Sequence, residues 1–366
     1  MENVLRNTVI LLALAATSAC AASSGDDGSA PQCVPGSKTA TMAGAAVAAP
    51  LDAIASFGDN PGALQMFVHA PPGGKASAIV VAMHGCTQGA QDYVAAGWND
   101  IADREGFAVV YPEQVAANNS NRCFNWYETG DTARGKGEAR SIAAMTEHAK
   151  TLYGATRAYV TGLSAGAAMT AVMLATYPDL FEAGAIMAGI PYGCASSTNE
   201  AYGCMSGKDQ TAAAWAMRVP APVGGRAPRV SIWQGDADYI VRPTNAEQLV
   251  RQWTKVNALA DKPTATTPDG KATHATYTDA SGVVRVEKWS IAGMSHGVAV
   301  SPKDGCGKAG AYVIDTGLCS TEKAAEFFGL VAAVPPGSGP GGTTTSDGGV
   351  TPGVPTPGTG APPGCD

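Results

Sequence analysis

Between residues 51 and 333 the chain alternates two hydrophobic rhythms. Residues 78–83, 107–111, 157–161, 183–187, 230–233 and 285–291 are short apolar runs bounded by breakers, a pattern that predicts strands. Residues 93–105, 139–153, 165–177, 246–257 and 321–331 are longer and carry apolar positions at helical spacing, which predicts helices. Alternation over this length predicts an α/β fold: a mostly parallel central sheet covered by helices on both faces, a three-layer sandwich. In such folds, functional groups gather at the carboxyl ends of the strands.

Both ends of the chain lack these rhythms. Residues 334–366 are almost entirely Pro, Gly, Thr, Ser and Val, too little apolar surface for a core, and are expected to be a disordered linker or tail. Residues 21–50 read as a flexible leader. Before them, residues 1–20 carry Arg6, an apolar run from Val9 to Ala16 and then small residues, the layout of an export signal. Thr17-Ser18-Ala19-Cys20 resembles a bacterial lipoprotein cleavage box, although Thr17 stands where an aliphatic residue is usual. Cys20 is therefore a candidate for lipidation and an outer-membrane anchor, with ordinary cleavage nearby and secretion as the alternative. No other stretch is long and apolar enough to span a bilayer.

Composition narrows the partners. With 24 Lys+Arg against 31 Asp+Glu, the net charge of -7 disfavours nucleic acid or an anionic membrane surface and fits a neutral or weakly charged substrate; the protein is expected to be a monomer. Setting Cys20 aside leaves eight cysteines, an even count that suits an oxidised, exported protein. The short spans Cys194 to Cys204 and Cys306 to Cys319 favour local bridges, while Cys33 and Cys365 have no assigned partner. No cysteine or histidine spacing looks like a zinc site, and no cofactor is implied.

The chemistry centres on Gly162-Leu163-Ser164-Ala165-Gly166, which lies between a predicted strand and a predicted helix. A Gly-X-Ser-X-Gly motif in that context exposes a serine at a sharp turn and offers helix N–H groups to a developing negative charge. A serine hydroxyl needs a base, and the base needs a carboxylate to orient it. Of five histidines, His69, His148 and His274 read as structural or exposed, whereas His84 and His296 sit in glycine-flanked loops after strands. His296 comes late in the chain, as the order serine, acid, histidine requires, and is the expected base. The acid lies in Gly235-Asp236-Ala237-Asp238, where either Asp236 or Asp238 qualifies and the other would be a turn former. The tetrahedral oxyanion needs two donors, expected to be the N–H groups of Ala165 and of Cys86, the latter in the loop His84-Gly85-Cys86-Thr87-Gln88. In that loop His84 is read as shaping the backbone.

With these motifs in order, together with Cys123-Phe124-Asn125-Trp126 and Arg134-Gly135-Lys136-Gly137-Glu138, residues 51 to 330 resemble the extracellular polyhydroxybutyrate depolymerase esterases. These are α/β-hydrolases related to feruloyl and acetylxylan esterases. The resemblance implies a triad of Ser164, Asp238 and His296, a bridge between Cys86 and Cys123, and a place for Trp126 in the substrate pocket, unless that ring simply covers the core. The histidine loop from Met294 to Val300 looks more like the depolymerase form, which points to a short-chain polyhydroxyalkanoate ester as substrate. A feruloyl or acetylxylan esterase is the alternative, and a non-catalytic surface lipoprotein a more distant one.

Overall fold

The computed structural model describes residues 50–332. The expected signal, leader and tail, with Cys20, Cys33 and Cys365, lie outside these residues. In chain order the elements are β1 (Asp52–Ile54), β2 (Gln65–His69), β3 (Ala78–Met83), α1 (Ala90–Tyr93), α2 (Trp98–Glu105), β4 (Ala108–Glu113), α3 (Gly137–Tyr153), β5 (Arg157–Leu163) and α4 (Ala165–Thr176). Then follow β6 (Ala183–Met187), α5 (Thr198–Met205), α6 (Ala212–Ala216), β7 (Arg229–Gly235), α7 (Thr244–Val256), β8 (Ala265–Asp269), β9 (Ala272–Thr278), β10 (Val284–Ile291), β11 (Val298–Val300), β12 (Val313–Asp315) and α8 (Ser320–Phe328).

Ten strands form one sheet in the order β1-β2-β4-β3-β5-β6-β7-β10-β9-β8. The six from β4 to β10 run parallel, and an antiparallel pair extends each edge. Strands β3 and β6 are buried at every position, which is why they read as unbroken apolar runs. Two separate hydrophobic clusters follow. One holds Ile79, Val81, Met169, Val172 and Trp253. The other holds Val80, Ala82, Tyr159, Trp233 and Phe328. Alternate residues of β3 divide between them, as a sheet covered on both faces requires. Helix α4 is buried along its whole length.

The predicted helix at 93–105 is broken. Gly97 adopts φ +93°, and a side chain there would meet the Gly307 backbone at 2.8 Å, so α2 starts afresh at Trp98. The helix expected at 321–331 stops at Phe328 because Gly329 turns left-handed at φ 76°. Among the described residues, no helix is long and apolar enough to cross a membrane.

Candidate active site

Ser164 sits between β5 and α4 with φ 59° and ψ -116°, a backbone conformation costly for a residue with a side chain. The elbow is held by its neighbours. The Ser164 N–H donates to Met187 O at 3.0 Å, at the end of β6, and its own carbonyl accepts from Ala168 in α4 at 2.8 Å. The two motif glycines are needed for contact. A Cβ on Gly162 would lie 2.4 Å from the Gly166 carbonyl carbon, and one on Gly166 would lie 2.5 Å from both Met83 O and His84 O. Only bare backbone lets the first turn of α4 approach the end of β3 so closely.

His296 and Asp238 come together from separate loops. His296, in the loop after β10, is 7% exposed, and its Nδ1 lies 2.7 Å from Asp238 Oδ2. Asp238, after β7, is buried, and its carboxylate accepts three further hydrogen bonds: Gln234 Nε2 at 3.0 Å, and the N–H groups of Ile240 and Val241 at 2.9 Å each. Asp236 is exposed and points elsewhere, accepting from Gly293 N–H at 2.7 Å. It thereby ties the acid loop to the histidine loop. The same two loops are joined by Ala237 N–H to Met294 O at 3.1 Å and by a contact at Gly235 so close that a Cβ would fall 2.1 Å from Met294 O.

Ser164 and His296 line one cavity of about 170 Å³, shared with Cys86, Leu163, Met205, Ile240 and Tyr312 among others. Among the described residues, no hydrogen bond joins the serine hydroxyl to His296 in this conformation; such contacts often tighten only when substrate binds. The Tyr312 and His296 rings pack in a T-shaped arrangement, with centroids 5.9 Å apart and planes at 78°. Tyr312 itself is held at φ 59°.

The loop after β3 supplies a free donor. Gly85 N–H is taken by Gln88 Oε1 at 2.9 Å and Thr87 N–H by Asn121 O at 2.7 Å. The N–H groups of Cys86 and Ala165 donate to no acceptor among the described residues. His84, fully buried, accepts from Gln114 N–H on Nε2 at 3.1 Å and places Nδ1 2.7 Å from Gly85 O. Those partners require the neutral Nδ1–H tautomer, and burial lowers its pKa to about 4. His84 is thus suited to bracing the loop and unsuited to proton transfer near neutrality.

Among the described residues three disulfides form: Cys86–Cys123, Cys194–Cys204 and Cys306–Cys319. The first ties the donor loop to the segment 119–125, and Arg122 reinforces it by donating to Thr87 O at 2.8 Å. Trp126 lies apart from the cavity. It is 8% exposed and packs edge-on against Tyr127 in the core, with centroids 5.3 Å apart, and is not among the residues lining this cavity. The apolar lining comes instead from Met205, Ile240 and Tyr312. Met205, Ile240 and Tyr312 carry no local signal in the sequence that marks them as pocket residues. Among the described residues no group of three or more His, Cys, Asp and Glu side chains is placed to hold a metal.

A parallel sheet sandwiched by helices, with a serine at a strand-to-helix elbow and a His–Asp pair on later loops, defines the α/β-hydrolase class. Residues 64–275 match the family described as esterase PHB depolymerase. The chain is 46% identical over 291 residues to poly(3-hydroxyalkanoate) depolymerase C of Paucimonas lemoignei, covering 77% of this chain and 70% of the relative. It is 35% identical over 269 residues to feruloyl esterase B of Talaromyces stipitatus, covering 68% of this chain and 72% of that one. Among solved structures it resembles an acetyl xylan esterase from Aspergillus awamori, with a TM-score of 0.65 and 25% identity over 77% of this chain and 100% of that one. The chain belongs to the PHB depolymerase esterase family and is a carboxylic ester hydrolase.

Proposed function

We propose that this esterase is exported and hydrolyses short-chain polyhydroxyalkanoate esters by two-step acyl transfer. The observation that carries the mechanism is the buried Asp238–His296 pair opening onto the same cavity as Ser164. His296 Nε2 takes the Ser164 proton as the hydroxyl attacks the ester carbonyl. The oxyanion rests on the N–H groups of Ala165 and Cys86, and the imidazolium then protonates the leaving alcohol. Water repeats the sequence to release the acid. Asp238, already committed to Nδ1, fixes the tautomer that leaves Nε2 free to act as base.

The substrate reading rests on the depolymerase relative and on the cavity. A small space walled by Leu163, Met205 and Ile240 suits a short aliphatic acyl unit. Export is supported by three disulfides, which persist in oxidising compartments.

Purified protein should clear a polyhydroxybutyrate emulsion and release 3-hydroxybutyrate or its oligomers. Release of ferulate or acetate from xylan without clearing would favour the plant cell-wall esterase reading that the relatives at lower identity suggest. Ser164→Ala should lower kcat by about 10⁶-fold on any ester while leaving the fold intact, and residual turnover well above that level would overturn the mechanism.

A further inference from the structure

The N–H of Cys86 and the carbonyl of Gly85 belong to a single peptide unit. A planar trans peptide sends its N–H and C=O in opposite directions, so anchoring the carbonyl fixes the direction of the donor. His84 Nδ1–H anchors that carbonyl at 2.7 Å, and His84 is held in turn by Gln114 N–H at 3.1 Å. The Gln114 side chain, also fully buried, donates through Nε2 to Glu138 Oε1 and to Cys123 O, the latter at 3.1 Å. Its Oε1 is occupied by Val115 N–H and Asn118 Nδ2, so the amide cannot turn round. The second carboxylate oxygen of Glu138 accepts from Asn125 N–H at 2.8 Å. Two arms therefore run from Glu138 to the Cys86 peptide. One passes through Gln114 and His84. The other passes through Asn125 and Gln114 to the segment carrying Cys123, which is bridged to Cys86.

We propose that Glu138, in the first turn of α3, is a positioning residue for the oxyanion donor at Cys86. It acts through Gln114 and His84. This inference rests on the serine esterase reading above and adds to it a residue remote from the substrate. The geometry asks for a carboxylate specifically. Both Glu138 oxygens face N–H donors, and glutamine could satisfy only one of them. A buried carboxylate without a cation is expensive to keep. Glu138 is 1% exposed, and no cation pairs with it among the described residues. The charged group that faces it is Asp131, whose Oδ1 accepts the Glu138 N–H at 3.0 Å. Burial, with Asp131 adding to it, pushes the Glu138 carboxyl up to about 8, against the pull of the two N–H donors. A side chain serving packing alone would gain nothing from such a site. One that must accept from two loops at once needs both oxygens.

The test measures kcat and KM on a soluble aryl butyrate from pH 5 to 9, normalised to active sites titrated to completion with a serine-directed phosphonate. Misfolded molecules are then not counted. Glu138→Gln should lower kcat per titrated site about tenfold or more, with KM within about threefold, because a misaimed donor weakens the transition state more than the bound substrate. Gln114→Met, which removes the side-chain links to Glu138 and Cys123 O while keeping the backbone N–H that holds His84, should reproduce that loss. The wild-type kcat profile should rise through an ionisation near 8 that Glu138→Gln lacks. An unchanged kcat per titrated site in both variants would overturn the proposal. It would leave the esterase reading standing, since that reading fails only if Ser164→Ala remains active.

Discussion

At the scale of single residues, two neighbouring carboxylates differ entirely in what surrounds them. Asp238 is buried and accepts four hydrogen bonds, one from His296, whereas Asp236 is exposed and accepts the Gly293 N–H. Asp238→Asn should therefore lower kcat by about 10⁴-fold, because an amide can present a donor to His296 Nδ1 and stabilise the wrong tautomer. Asp236→Asn should cost less than tenfold, since it loosens the histidine loop without touching the base; equal losses would mean that the acid is misassigned. The sequence offered both aspartates in equivalent turn contexts, and family resemblance favoured one of them. What separates them physically is the Gln234 amide and the N–H groups of Ile240 and Val241 closing around one side chain only. His84 was legible as a loop-shaping residue. Its tautomer was not, because that depends on Gln114, thirty positions away in the chain.

At the scale of elements, the elbow is a contact between β3, β5 and α4. Adding a methyl at Gly166 would press on the carbonyls of Met83 and His84, which are backbone atoms with nowhere to retreat. Gly166→Ala should lower unfolding free energy by about 1–3 kcal/mol in urea titration. It should also reduce kcat on a soluble ester, because the displaced carbonyl of His84 begins the loop that carries the Cys86 donor. A stable variant with parental kcat would show that the approach of helix to strand is looser than described. The strands of the parallel centre were legible because both of their faces are buried. Elements that escaped the sequence, among them β1, α1, β8, β9, β11, β12, α5 and α6, are short, at an edge, or half exposed, and their apolar positions show no sustained period.

At the scale of the whole molecule, burying an uncharged histidine couples folding to pH. His84 has a pKa near 4 in the folded protein and about 6.5 when unfolded, so the unfolded chain binds the extra proton first as pH falls. Its contribution is fully present above pH 6.5 and is lost on descent to about 4. The shift corresponds to on the order of 3 kcal/mol. The raised Glu138 carboxyl has the opposite slope over much of the same range, so the His84 contribution is read as a difference. In urea titrations from pH 7 to 4 the wild type should lose stability relative to His84→Gln, and parallel curves would mean that His84 does not stay neutral. The sequence by itself determined the class of fold, the serine at its elbow, the late histidine and the local cysteine pairs. Each of these is written in short-range patterns: burial on two faces, a five-residue turn, a span too short to close otherwise. Only the tertiary structure decided which aspartate meets His296, that Trp126 fills the core, that Met205, Ile240 and Tyr312 wall the cavity, and that Glu138 lies behind the donor loop. Those outcomes depend on segments distant in sequence converging at the carboxyl ends of the strands, where hydrogen-bond partners are set by packing rather than by spacing along the chain.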